Sequence, residues 1–304
     1  MKTLNNILLT DSGLETTLIF NHNLELPHFA AFVLLNHPQY KNLLDQYFRQ
    51  HLKLAQKFKT GFVLESVTWR ANSDWGYKLG YDNAELDAIN QLAIHQLKLL
   101  KRDFKKDVFP IYISGCIGPR SDGYQTTSTM SVAEAKEYHQ NQIGSFKKAG
   151  VDFASAFTLN YSAEGQGIVL AAKKQNLPVV ISFTVETDGK LPGGETLGDA
   201  IKKIDKETRN YPLYYMINCA HPTHFVNHLT QEEWTDRIRG ILANASCKSH
   251  AELDQSTELD SGDKTELASW YKTIQQKLPN LLVYGGCCGT DISHIENICQ
   301  KIAV

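Results

Sequence analysis

Short apolar, β-branched runs alternate along this chain with longer amphipathic stretches. The short runs fall at 7–13, 61–69, 108–115, 151–159, 178–185, 213–219, 238–245 and 281–286, and each reads as a buried strand. The amphipathic stretches fall at 39–58, 84–104, 132–149, 163–175, 197–208, 230–237, 264–278 and 292–304, and each reads as a helix. Two helix starts carry the capping-box spacing: Ser131 with Glu134, and Thr230 with Glu233. Gly150 and Pro178 stand where the preceding helices must end. Strict alternation of strand and helix predicts a closed (β/α)8 barrel, one domain spanning residues 1–304. An open doubly wound sheet is the alternative. The lack of a Gly-rich dinucleotide fingerprint after the first strand counts against it.

The length agrees with that reading, since 304 residues suit one α/β barrel with modest insertions. The 31 basic and 33 acidic residues leave a net charge of −2, so no basic excess exists to grip a nucleic acid. The apolar run at 7–9 is too short for a signal-peptide core, and no stretch reaches a membrane span. A cytoplasmic location is therefore expected. There the six cysteines would stay reduced, as metal ligands, nucleophiles or buried thiols.

In an α/β barrel the chemistry sits at the C-terminal ends of the strands. Five of the six cysteines fall at predicted strand ends, which core packing alone would not arrange. Strands six and eight lie close around the mouth, so Cys219 can approach Cys287 and Cys288. Adjacent cysteines on a regular strand point to opposite faces, so both reach one metal only if the backbone leaves strand geometry. The flanking Gly285, Gly286 and Gly289 permit that. Three thiolates suit Zn2+ and leave an open fourth position. A substrate thiol there would be deprotonated for methyl transfer, whereas a water there would become a hydrolytic nucleophile. His221, His224 and His228 are rival ligands beside Cys219. Asp11 could cap a turn or hold a substrate ammonium, and Glu65, Glu186 and Asp188 share that ambiguity. Trp69, Trp75, Tyr77, Tyr81 and Tyr124 follow strands two and three, as rim packing or as a shield over a methylated cation.

These residues fall into a recognisable series. Asp11 to Leu18 resembles the Asp-Gly-Gly opening of the homocysteine S-methyltransferase family. Gly115 to Pro119 resembles its Gly-x-x-Gly-Pro turn, and Asn218-Cys219 its Asn-Cys motif. Ala243 to Ala245 resembles its Pro-Asn-Ala/Ser element, and Gly285 to Thr290 its Gly-Gly-Cys-Cys-Gly-Thr signature. The resemblance implies a zinc-bound (β/α)8 barrel that methylates homocysteine to methionine, an enzyme of methionine biosynthesis. It implies a small-molecule thiol acceptor and a small methyl donor such as S-methylmethionine, S-adenosylmethionine, betaine or methyltetrahydrofolate. Cys219, Cys287 and Cys288 then carry the zinc, and Asp11 the substrate amine. Asn218 and Asn244 are the further expected substrate contacts.

The chain departs from the family in two places. Members usually carry a Glu at the end of strand four to help hold the amino acid, where this chain has Ala156-Phe157-Thr158. Ser12 stands where Gly is common. Glu186 on the next strand is the expected replacement for the lost charge. Two other readings remain open: a zinc-dependent hydrolase or lyase acting on another small molecule, and a non-catalytic zinc-binding homologue.

Overall fold

The computed structural model describes residues 7–124, 126 and 128–303. Eight parallel strands close into a barrel in sequence order. They are β1 (Leu8–Leu9), β2 (Gly61–Glu65), β3 (Ile111–Ile117), β4 (Phe153–Leu159), β5 (Val179–Phe183), β6 (Tyr215–Asn218), β7 (Ile238–Ala243) and β8 (Val283–Gly286). Closure comes from β1 against β8, with Leu8 opposite Val283 and Leu9 opposite Tyr284. The helices are α1 (Leu14–Thr16), α2 (Pro38–Phe58), α3 (Ser73–Lys78), α4 (Asn83–Phe104), α5 (Val132–Ala149), α6 (Ser162–Lys174), α7 (Leu197–Thr208), α8 (Pro222–Phe225), α9 (His250–Asp254), α10 (Lys264–Lys277) and α11 (Ile292–Ile302). Among the described residues no helix is long and apolar enough to cross a membrane.

All eight predicted strands occur, shorter than the apolar runs that announce them. Val108 is not yet strand, because its N–H bonds to Phe104 O and completes the last turn of α4. At the other end, residues 66–69 leave the sheet after Glu65 to form the pocket wall. The predicted helix at 230–237 is instead a 3-10 turn, Glu233–Arg237. Its capping box is absent: Thr230 Oγ1 reaches Glu232 Oε1 at 3.3 Å, and no side chain caps the turn. The Ser131 box forms as expected, and Gly150 closes α5 at φ +70°.

Two apolar bodies hold the fold. The larger lies between the barrel's outer surface and the helix ring, and includes Phe62, Phe146, Phe183 and Tyr215. The smaller fills the barrel interior with Leu8, Val63, Phe153, Val180, Met216 and Val283, capped toward the mouth by Cys116, Phe157 and Leu242. The barrel is thus a plugged core, and a substrate can enter only at the rim. The segment between β1 and α2 buries Leu18, Ala30, Phe32 and Leu35 and contributes Phe20 and Phe29 to that rim.

Candidate metal centre and substrate pocket

β6 stops at Asn218 because Cys219 takes φ +54°, a left-handed conformation that costs a non-glycine residue energy. The structure secures it. The Cys219 carbonyl accepts hydrogen bonds from Thr184 Oγ1 at 3.2 Å and Asn244 Nδ2 at 3.1 Å, with His250 Nε2 at 2.7 Å. β8 stops at Gly286 for a related reason. The chain turns through Cys287-Cys288-Gly289, with Thr290 N–H returning to Cys287 O at 3.1 Å. Gly289 sits at φ +79°, and a Cβ there would press on the Asp260 carbonyl. A Cβ on Gly286 would collide with Thr290. The backbone therefore leaves strand geometry where two adjacent cysteines must face the same way.

The sulfurs of Cys219, Cys287 and Cys288 all lie within 4.8 Å of one another. Cys219 and Cys288 are 3.8 Å apart, which matches the edge of about 3.8 Å expected between thiolates 2.3 Å from one tetrahedral zinc. Burial pushes the Cys288 thiol up to about 11, so thiolates here call for a neighbouring cation. The donor set and spacing fit a zinc ion on three thiolates. One expectation needs correction: not every cysteine is a free thiol, because Cys219 and Cys287 are joined as a disulfide. Cys116, Cys247, Cys288 and Cys299 are free.

The three sulfurs stand at one side of a cavity of about 420 Å3. Its walls include Trp69, Tyr124, Phe157 and Leu242, and its charged lining is mainly acidic, with Asp11, Glu15 and Glu65 toward the barrel. Burial raises the Asp11 carboxyl well above its usual range, and the charges of Glu65 and then Glu15 raise it further. Burial likewise pushes Glu65 up to about 7, partly offset by the Ser114 and Ser155 hydroxyls. Arg70 is the basic residue in the lining. Its guanidinium lies 4.0 Å from the Trp69 ring centre and 3.9 Å from that of Trp75, and it donates to Ser121 O at 3.0 Å.

The structure distributes the expected site residues unevenly. Asp11 lines the cavity, 3.3 Å from the Tyr47 hydroxyl. The neighbouring Ser12 hydroxyl fills the place where glycine is common by bonding to Tyr47 and to His51 Nε2 at 3.0 Å. Asn218 borders the cavity, but its amide is occupied. It accepts from Thr158 N–H at 2.9 Å and Ser182 Oγ at 2.6 Å, and donates to Thr158 Oγ1 at 2.8 Å. That network holds Thr158 at φ +60° and so aims the β4 turn. Asn244 supports Cys219 and does not line the cavity. Glu186 is outside the lining too, with Oε1 3.0 Å from His250 Nδ1.

The rival histidines do not join the sulfur cluster. His221 caps its own turn through Thr223, and His224 reaches Cys247 O at 2.9 Å. Of the aromatics, Trp69 and Tyr124 face the cavity, while Tyr81 packs on Phe32 and Tyr77 is exposed. Tyr124 places its hydroxyl 3.5 Å from Cys288 Sγ and stacks on His250 at 4.0 Å. His250 is the supporting residue that sequence reasoning passed over. The spacing Ser249-x-x-Glu252, a capping box that forms in the structure, is the signal that would have placed it at a helix start.

Comparison with known proteins agrees with the fold. The crystal structure of the Escherichia coli homocysteine methyltransferase MmuM in its oxidized form superposes with a TM-score of 0.74. It is 17% identical and covers 97% of this chain and 96% of its own. The metallated form of the same protein gives 0.73 over the same coverage. Homocysteine S-methyltransferase 1 of Arabidopsis thaliana is 25% identical over 180 residues, 57% of this chain and 53% of that protein, so the chain spans about half the length of that relative. The family profile described as Homocysteine S-methyltransferase matches residues 8–302. On that match, with the barrel and the cysteine cluster already in place, the chain belongs to the homocysteine S-methyltransferase family.

Proposed function

We propose that this protein transfers a methyl group from a small donor to the thiol of homocysteine, giving methionine, with Cys219, Cys287 and Cys288 holding a zinc ion. The observation that carries the reading is the convergence of those three sulfurs within 4.8 Å beside an acidic, aromatic-walled cavity. A zinc ion held by Cys219, Cys287 and Cys288 would supply the Lewis acidity that lowers the pKa of a substrate thiol toward neutral. The chain's own residues do the rest. Asp11 accepts the substrate ammonium, which fixes the direction in which the sulfur points. The Cys219 turn, pinned by Thr184, Asn244 and His250, keeps the ligand sulfur still while the acceptor binds. Trp69, Tyr124 and Phe157 exclude water from the reacting atoms, and holding donor and acceptor in one geometry supplies much of the rate. The metal-binding form requires reduction of the Cys219–Cys287 pair, which a reducing compartment such as the cytoplasm provides.

Zinc X-ray absorption on the reduced protein tests this. A sulfur count rising from three to four on addition of homocysteine is the expected result. An unchanged count would remove homocysteine as the acceptor and leave only the metal site.

A further inference from the structure

The pocket contains a carboxylate that neither the metal site nor the fold accounts for. Glu65, at the C-terminal end of β2, is 8% exposed and lines the same cavity as Asp11 and the cysteines. Its Oε1 accepts from Ser155 Oγ at 3.1 Å, and Ser155 in turn lies 2.7 Å from Ser114 Oγ. Its Oε2 is buried without a hydrogen-bond partner. Such an atom costs free energy unless a ligand completes it. Around it the interior is apolar, with Val63, Cys116 and Leu242. Among the described residues, no hydrogen bond or ion pair joins Glu65 or Asp11 to a lysine, arginine or histidine. Two carboxylates thus share one cavity with no basic partner, a fit for a small cation.

Phe157 gives that cation an identity. It stands two residues beyond Ser155 on the inward face of β4, where the family usually carries its acidic residue. Ser155 is the residue that bonds to Glu65. The negative charge missing from β4 is therefore present on β2, joined to β4 by one hydrogen bond. Glu186 does not supply it, because it lies outside the cavity against His250.

We infer that Glu65 is a specificity-determining residue of the acceptor subsite, where it and Asp11 clasp the ammonium group of an α-amino thiol in place of the carboxylate that Phe157 displaces. The inference rests on homocysteine as the acceptor and goes further by naming what selects it.

The test compares two thiols on the reduced, zinc-loaded protein by calorimetry: homocysteine, and 4-mercaptobutanoate, which lacks only the amino group. Glu65→Gln should weaken homocysteine binding tenfold or more and leave 4-mercaptobutanoate within about twofold. Adding Phe157→Glu to that variant should restore a large part of the loss. Glu65→Asp, which keeps the charge on a shorter arm, should fall between wild type and Glu65→Gln. It decides the question if the Gln variant fails to fold. Equal weakening of both thiols, or of neither, would overturn the inference by making Glu65 a structural residue. Wild-type protein that binds 4-mercaptobutanoate but not homocysteine would overturn the acceptor reading and this inference together.

Discussion

The outer helix ring and the barrel mouth follow opposite rules. In the ring, local chemistry agrees with the fold. Asp82, Ser131 and Asp291 each close a capping box, and left-handed residues such as Lys59, Gly150 and Arg209 end helices. At the mouth, local chemistry is overruled. Thr158 and Cys219 hold positive φ outside any helix cap, and Asp11 and Glu65 are acids whose ionisation the surroundings oppose. The ring supplies the stability that the mouth gives up, and Thr158, Cys219, Asp11 and Glu65 all line the cavity.

Three substitutions would sharpen or break this contrast. The largest effect is expected at the mouth. Cys288→Ala should bring zinc content from near one ion per chain to near zero, with methyl transfer lost, as elemental analysis and a methylation assay would read. A variant that keeps its metal would remove Cys288 from the ligand set.

Glu65→Gln should come next, as a gain of stability in the absence of substrate. The folded-state value of about 7 exceeds the ordinary 4.5 of a glutamate. Wild-type stability is therefore lost as pH rises from about 4.5 to about 7, because the unfolded chain ionises there and the folded chain resists. The variant has no such penalty. Its advantage should open across that window and level off above it at no more than about 3 kcal/mol. Urea midpoints at pH 5 and pH 8 measure this, and an equal difference at both would show that Glu65 ionises freely.

The smallest effect belongs to the ring. Asp82 accepts from Ala84 and Glu85 N–H at 2.8 Å each. Asp82→Ala should cost about 1 kcal/mol in denaturant titration and leave zinc content unchanged. A loss of metal would mean that the two regions are less separable than their chemistry suggests.

What was legible in the chain divides along the same line. The eight strands and the major helices announce themselves because each buries a repeating apolar face, a property of adjacent residues. The three clustered cysteines were legible because they stand at predicted strand ends, and Gly285, Gly286 and Gly289 mark the turn that carries two of them. Local signals failed where tertiary contacts decide. Thr230 and Glu233 have the spacing of a capping box, yet the chain there makes only a 3-10 turn against β7. The segment 14–36 forms short turns with no single period, held by the burial of Leu18, Phe32 and Leu35. The bond between Cys219 and Cys287 follows from their closeness, a distance the sequence does not state. Glu65 and Glu186 look alike as acidic residues at strand ends, and only packing turns one toward the cavity and the other toward His250.

The clustered cysteines also bear on how the protein is made. Cys219 and Cys287 are 68 residues apart, and the second follows the last strand, which must slot between β7 and β1. A chain still emerging from the ribosome presents Cys219 alone, with its partners unfixed until the cylinder is complete. The proposed zinc site is thus assembled only once β8 has joined the barrel. Zinc uptake at the proposed site would then mark the closed barrel, and a chain halted before β8 would be left out of the loaded pool without any separate inspection.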